Sequence, residues 1–334
     1  EERKVLAELS ALVAEEASAL NQVVAVLRAL DLALARGRYG RWLGGVEPQL
    51  EAAAEAPFRF SGLRHPLLVW QHKRAEGPPV VPISVEVSPE LRVVAITGPN
   101  TGGKTVTLKS IGLAALMARA GMLLPCSGQP SLPWCAQVLA DIGDEQSLQQ
   151  SLSTFSGHVK RIGRILEALQ RGGSPALVLL DEVGAGTDPS EGTALATALL
   201  KALADRARLT IATTHFGELK ALKYDDARFE NASVAFNPET LSPTYELLWG
   251  IPGRSNALAI ATRLGLDSDV LHQAQQLLAP GGDGEVNSVI RGLEEQRQRQ
   301  QAAAEDAAAL LARTELLHEE LLQRWQKQKQ QTAQ

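Results

Sequence analysis

The most constraining feature is a short apolar run, Leu91–Ile96, that ends in Gly98-Pro99-Asn100-Thr101-Gly102-Gly103-Lys104-Thr105. Gly98, four intervening residues and then Gly103-Lys104-Thr105 match the Walker A pattern of a phosphate-binding loop at each fixed position. Such a loop needs a strand before it and a helix after it. The glycines let backbone N–H groups approach phosphates, Lys104 can reach the β- and γ-phosphates, and the Thr105 hydroxyl can hold Mg²⁺. The following helix points its positive end at the same place. A chance lysine in a Gly-rich turn is the competing reading, and the flanking strand and helix patterns weigh against it.

A second element lies about 75 residues further on. Leu177-Val178-Leu179-Leu180 is a continuous apolar run, as a fully buried parallel strand reads, and it ends in Asp181-Glu182. Ligands of open α/β sheets bind at that edge. Asp181 suits the Mg²⁺ shell and Glu182 suits activation of a water. Alone the pair is a solvated acidic turn. After a full phosphate loop it becomes a candidate catalytic pair. The next buried strand, Leu209–Thr213, delivers His215, a candidate γ-phosphate partner. Two weaker elements remain: Ser153-Thr154-Phe155-Ser156-Gly157-His158, a helix start that reads locally as a plain N-cap, and the Gly-rich loop Gly184–Gly192 containing Asp188.

Strands alternating with helices between residues 91 and 213 predict an α/β fold, a mostly parallel sheet flanked by helices. Further runs are read as strands at Leu67–Trp70 and Val80–Val87. A hairpin is expected at Phe229–Phe236 and Thr244–Trp249. Helices are expected at 104–119, Glu145–Leu169, Ser190–Ala204, Asn256–Leu264 and Asp267–Leu278. Residues 2–36 carry leucines and valines at helical spacing, which predicts one long helix ended by Gly37, Gly40, Gly44, Gly45 and Pro48. After Pro280-Gly281-Gly282 the composition shifts to Gln, Ala, Glu and Arg, and residues 285–330 read as a second long helix of coiled-coil type. The domains expected are 1–40, a helical lever; 41–279, the nucleotide domain; and 280–334, a linker and stalk.

The net charge of −5 over 334 residues does not advertise nucleic-acid binding. Arg36, Arg38, Arg41 and the basic stretch 297–329 are the candidate contacts, although a solvated helix surface is their commoner meaning. Cys126 and Cys135 have no metal or redox spacing and read as reduced thiols of a cytoplasmic protein. No uninterrupted apolar run reaches membrane length, so no membrane is expected.

The order of these elements (the phosphate loop, Ser153-Thr154-Phe155, Leu180-Asp181-Glu182, Gly186-Thr187-Asp188 and Thr213-Thr214-His215-Phe216) resembles the ATPase domain of MutS proteins. Gly98–Lys109, Asp141–Gln146 and Gly250–Asn256 are similar to the bacterial MutS-two paralogues. The resemblance implies an ABC-type ATPase with ATP and Mg²⁺ as cofactors, forming a homodimer with composite sites. The loop Gly98–Val106, Asp181, Glu182 and His215 would serve one nucleotide. Ser153 and Thr154 would reach the partner's nucleotide in trans, and Asp188 would lie at the dimer interface. Tyr245, with Val80 or Val81 opposite, would hold adenine. The family's longer members add an N-terminal core and clamp and a C-terminal Smr nuclease domain. Branched or double-stranded DNA, and ribosomes or rRNA, are the implied partners. A nucleotide-switched clamp with negligible turnover stays open. A transporter ATPase is disfavoured because the Leu-Ser-Gly-Gly-Gln signature is lacking, and no nuclease cluster is evident in this sequence.

Overall fold

The computed structural model describes residues 1–52, 56–74, 77–98, 102–143, 154–172, 175–237, 242–253 and 257–277, with single positions between 296 and 318. Two units emerge, Glu1–Leu264 and Gly265–Gln334.

The first unit opens on helices α1 (Glu2–Glu15) and α2 (Ala17–Leu43), separated at Glu16, whose φ of −96° and ψ of 8° leave the helical region. The single helix expected over 2–36 is therefore two, and α2 does not stop at Gly37 or Gly40. It ends one step before Gly44, which takes a left-handed φ of 69°. Gly40 stays inside the helix for a packing reason: a Cβ there would lie 2.5 Å from the Leu123 side chain. By length and mean hydropathy, 1.4 over 18 residues, α2 is long and apolar enough to cross a membrane. Arg28 and Asp31 interrupt it, so a search for unbroken apolar runs passes over it.

Next come β1 (Gln49–Glu51), β2 (Phe58–Leu63), α3 (Pro66–Lys73) and β3 (Ile83–Val87). Leu67–Trp70, expected as a strand, is helical. His65 is extended before it and Pro66 occupies the first turn, where its fixed φ and missing N–H suit a helix start. A short apolar run does not by itself distinguish strand from helix.

The phosphate loop follows β4 (Val93–Thr97) and leads into α4 (Lys104–Arg119). The chain continues through β5 (Ser131–Pro133), β6 (Gln137–Asp141), α5 (Thr154–Gln170), β7 (Ala176–Leu180), α6 (Pro189–Arg206) and β8 (Leu209–Thr213). A 3-10 turn at Glu218–Ala221 and a short α7 (Leu222–Asp225) precede the hairpin β9 (Phe229–Asn237) and β10 (Ser242–Trp249), after which α8 (Ala257–Arg263) closes the unit. The helix expected from Glu145 begins at Thr154, and residues 144–153 lie outside the described residues.

The main sheet has the order β10-β9-β4-β8-β7-β6, parallel throughout except for β10 against β9. The class is α/β with a mostly parallel sheet flanked by helices. Strands β4, β7 and β8 are buried along their whole length. Alternate residues feed two cores. Leu177, Leu179 and Ile211 pack with Leu108 and Ile111 of α4, while Val178, Leu180 and Ala212 pack with Leu200 and Leu203 of α6. The covered faces explain why these strands read as unbroken apolar runs. A second sheet, β1-β5-β2-β3, joins the α4-side core through Phe58, Phe60 and Val85. In the second unit α9 spans Ser268–Leu277, and the positions described between 296 and 318 are helical and exposed. The rest of the helix expected over 285–330 lies outside the described residues.

Candidate nucleotide site

The C-terminal ends of β4, β8 and β7 lie side by side, with β8 in the middle. That order brings together residues 76 positions apart. The Thr105 hydroxyl, in the first turn of α4, donates to Asp181 Oδ2 at 2.8 Å. From β8, the Thr213 hydroxyl donates to Asp181 Oδ1 at 2.5 Å. The same Thr213 oxygen accepts the backbone N–H of Glu182 at 2.8 Å. Both carboxylate oxygens of Asp181, a residue 9% exposed, are thus oriented by hydroxyls, one from the first turn of α4 and one from the end of β8. Glu182 itself sits at φ 50°, a left-handed conformation unusual for a residue with a side chain. Backbone of this kind costs about 1–3 kcal/mol and collects at functional sites.

Lys104 is 2% exposed, and its ammonium donates to the carbonyl of Gly98, closing the phosphate loop on itself. Burial holds the Lys104 pKa below the usual lysine value, while the charges of Glu182 and Asp181 pull the other way. A cation kept in a half-dry hollow with carboxylates behind it is arranged to meet a polyanion. Gly103 takes φ 87°, and a Cβ there would touch the Tyr245 ring at 3.0 Å.

Tyr245 owes its place to an irregularity in the hairpin. The register of β10 shifts between Pro243 and Leu247, and Tyr245 adopts φ 64°. A bulge of this kind re-aims a side chain. The Tyr245 ring lines a cleft of about 270 Å³ together with Val80, Val81, Gly103 and Val106. Leu63, His65, Leu68 and Gln71, from β2, α3 and the turn between them, line the same cleft. Among the sequence-derived residues, Val80, Gly103, Val106 and Tyr245 therefore meet in one cleft.

The remaining candidates are less connected. His215 stands exposed just past the end of β8, with its ring against Phe216 at 4.3 Å. Asp188 caps α6, accepting from the backbone N–H groups of Ser190 and Glu191 at 2.9 and 3.2 Å and from the Ser190 hydroxyl. Those bonds hold the Asp188 carboxyl below the usual range. The Gly-rich loop before it is tight, since a Cβ on Gly184 would fall 2.6 Å from the Gly192 carbonyl oxygen. Thr154 opens α5. Pro99, Asn100, Thr101 and Ser153 lie outside the described residues. The two cysteines are buried, and burial pushes the Cys126 thiol up to about 12 and that of Cys135 to about 11.

Sequence reasoning missed Thr213 as an orienting group, His65 and Gln71 in the cleft, and the pairing of Asp141 with His158, which both stand in sequence motifs without a role assigned there. Thr213 carried the one usable signal, because a polar doublet, Thr213-Thr214, ends an otherwise apolar buried strand.

The strand order, the phosphate loop and the Asp181 cradle define a P-loop ATPase domain. Residues 94–280 match the family model for MutS domain V, and the chain belongs to the MutS family. Endonuclease MutS2 of Synechocystis sp. is 55% identical over 97% of this chain and 41% of its own length. Endonuclease MutS2 of Symbiobacterium thermophilum is 47% identical over 88% of the chain and 35% of its own length, and that of Pediococcus pentosaceus is 42% identical over 96% and 39%. The chain thus corresponds to the ATPase-domain part of MutS2-type proteins. It spans about two fifths of the length of these relatives.

Proposed function

We propose that this chain binds ATP with Mg²⁺, hydrolyses it, and uses the nucleotide state to govern a grip on nucleic acid. The observation that carries the reading is the hydrogen-bond chain Thr105–Asp181–Thr213–Glu182, which ties the phosphate loop to the acidic strand end. Thr105 and Asp181 would hold the Mg²⁺, since the Thr105 hydroxyl and an Asp181 carboxylate oxygen, both hard oxygen donors, lie 2.8 Å apart. The bound ion supplies charge that offsets the phosphates.

Lys104 and the backbone of residues 98–106, including Pro99, Asn100, Thr101, Gly102 and Gly103, cradle the phosphates. Glu182 accepts the proton of the attacking water. Its strained backbone fixes where the carboxylate can reach. His215, one strand over, is the donor to the γ-phosphate. The cleft between Tyr245 and Val80 takes the adenine. Ser153 and Thr154 complete the site of a second copy, and Asp188 lies at that interface. On this reading residues 1–40 are a lever arm, 41–279 the ATPase domain, and 280–334 a linker and coiled-coil stalk. Branched or double-stranded DNA is the partner, in restraint of homologous recombination, with collided ribosomes as a further target. The setting is cytoplasmic.

The MutS2 relatives carry the name endonuclease; the activity proposed for this chain is ATP hydrolysis. Steady-state phosphate release tests the proposal. Turnover that disappears in Lys104→Ala supports hydrolysis at this site. ATP binding without turnover would instead make the domain a nucleotide-operated clamp.

A further inference from the structure

Asp141 ends the strand next to the one that carries Asp181, yet neither the phosphate loop nor the acidic pair uses its side chain. Its carboxylate is almost wholly buried, at 3% exposure. One oxygen accepts from His158 Nδ1 at 2.7 Å and the other from Arg161 Nε. His158 and Arg161 lie in the first two turns of α5, one turn apart, so a single buried anion grips the start of that helix. The backbone of the same residue is engaged as well: the Asp141 carbonyl accepts the N–H of Asp181 at 2.9 Å. One residue therefore ties the start of α5 to the strand end that holds the nucleotide-site carboxylates.

The later turns of α5 are held by apolar packing, with Ile165 buried and Ile162, Leu166 and Leu169 against the α6-side core. Phe155, Val159 and Ile162 face Leu195 and Leu199 of α6 across a small cavity of about 20 Å³ that also touches Glu182 and Gly184. Apolar contact of this kind permits sliding, whereas two charge-assisted bonds to one buried carboxylate fix distance and direction. The ionic contact therefore sets the direction of the first turns of α5, while apolar packing holds the later ones.

We infer that Asp141, His158 and Arg161 form a positioning clasp that sets how the first turn of α5 is presented to the nucleotide held by a second copy of the chain. The inference rests on the composite-site reading proposed above. The three residues touch no substrate. They act through the helix, so a small displacement there lowers turnover in the partner's site and leaves the clasp's own protomer competent.

Mixed dimers of the full chain, purified through two different tags, separate these possibilities. The reference pair is wild type with Lys104→Ala, which has one competent phosphate loop. Placing Asp141→Asn on the Lys104→Ala protomer puts the damaged clasp opposite the competent loop, and kcat is expected to fall about 10- to 100-fold with KM changed less than about twofold. Placing Asp141→Asn on the other protomer, beside the competent loop, is expected to leave the reference rate. Equal loss in both arrangements would reduce the clasp to a folding contact and overturn the inference. Reference activity in both would overturn it too, while leaving the composite site intact. Loss only when Asp141→Asn shares a protomer with the competent loop would contradict the composite-site reading itself. A second pair of variants reads the contact in ordinary homodimers: His158→Asn, whose amide can replace the Nδ1 donor, is expected to retain kcat, and His158→Gln, which places its amide further out, to lose it. Equal behaviour of the two would overturn the role given to His158.

Discussion

Thr213 does two jobs with one oxygen: it donates to Asp181 and accepts from the Glu182 backbone. Thr213→Val keeps the shape and removes both bonds, leaving the half-buried Glu182 N–H and a buried Asp181 carboxylate oxygen without these partners. Such losses cost about 1–3 kcal/mol. The variant is expected to show that drop in urea unfolding, together with weaker Mg²⁺-dependent ATP binding by titration. His65 makes a pH prediction. Burial lowers its pKa, Lys109 adds to the effect, and its buried Nδ1 has no hydrogen-bond partner among the described residues. The unfolded imidazole takes up a proton near the ordinary value of 6.5, and the folded one does so only at lower pH. Stability from this group is therefore complete above that value and falls as pH drops below it. Thermal unfolding from pH 7 to 5 is expected to fall less steeply in His65→Phe than in wild type. At this scale the meeting of Lys104, Thr105, Asp181 and Glu182 at one end of the sheet was legible because motif spacing encodes it. Thr213 was not, since a threonine suits any buried strand. Asp141 and His158 were not, since only the folded chain brings them together across the intervening residues.

Among the elements, the buried parallel strands β4, β7 and β8 were readable because helices cover both faces and leave no polar alternation. The four-stranded sheet was mostly unreadable: β1 and β5 have three residues each, too few for any period. The misread Leu67–Trp70 shows the same weakness, since four apolar residues fit either structure and Pro66 with an extended His65 decides for a helix. Gly40 tests packing against propensity. Gly40→Ala raises intrinsic helix propensity, yet its Cβ would press on Leu123. The expected outcome is destabilisation by about 1–3 kcal/mol, as overpacking costs, measured by denaturant unfolding. A stabilised variant would mean that Leu123 moves aside freely.

For the whole molecule, the sheet order gathers the P-loop strand, the acidic strand and the histidine-bearing strand at one edge, and that arrangement follows from the buried runs and their motifs together. Less was legible at the ends. The exposed apolar residues along α1 and α2 follow the helical spacing seen in the sequence, but spacing does not say what covers them. Nucleic-acid binding belongs to this scale too. If phosphate contacts carry it, log K is expected to fall linearly with log salt, by about 0.9 per phosphate neutralised on duplex DNA, with an intercept that ATP shifts. The central claim is that Glu182 activates the water at a site built from the phosphate loop and Asp181. Its most direct test is phosphate release by Glu182→Gln beside wild type at matched, saturating ATP. The prediction is unimpaired ATP binding with turnover reduced about 10²- to 10⁴-fold; turnover equal to wild type would contradict the assignment of Glu182.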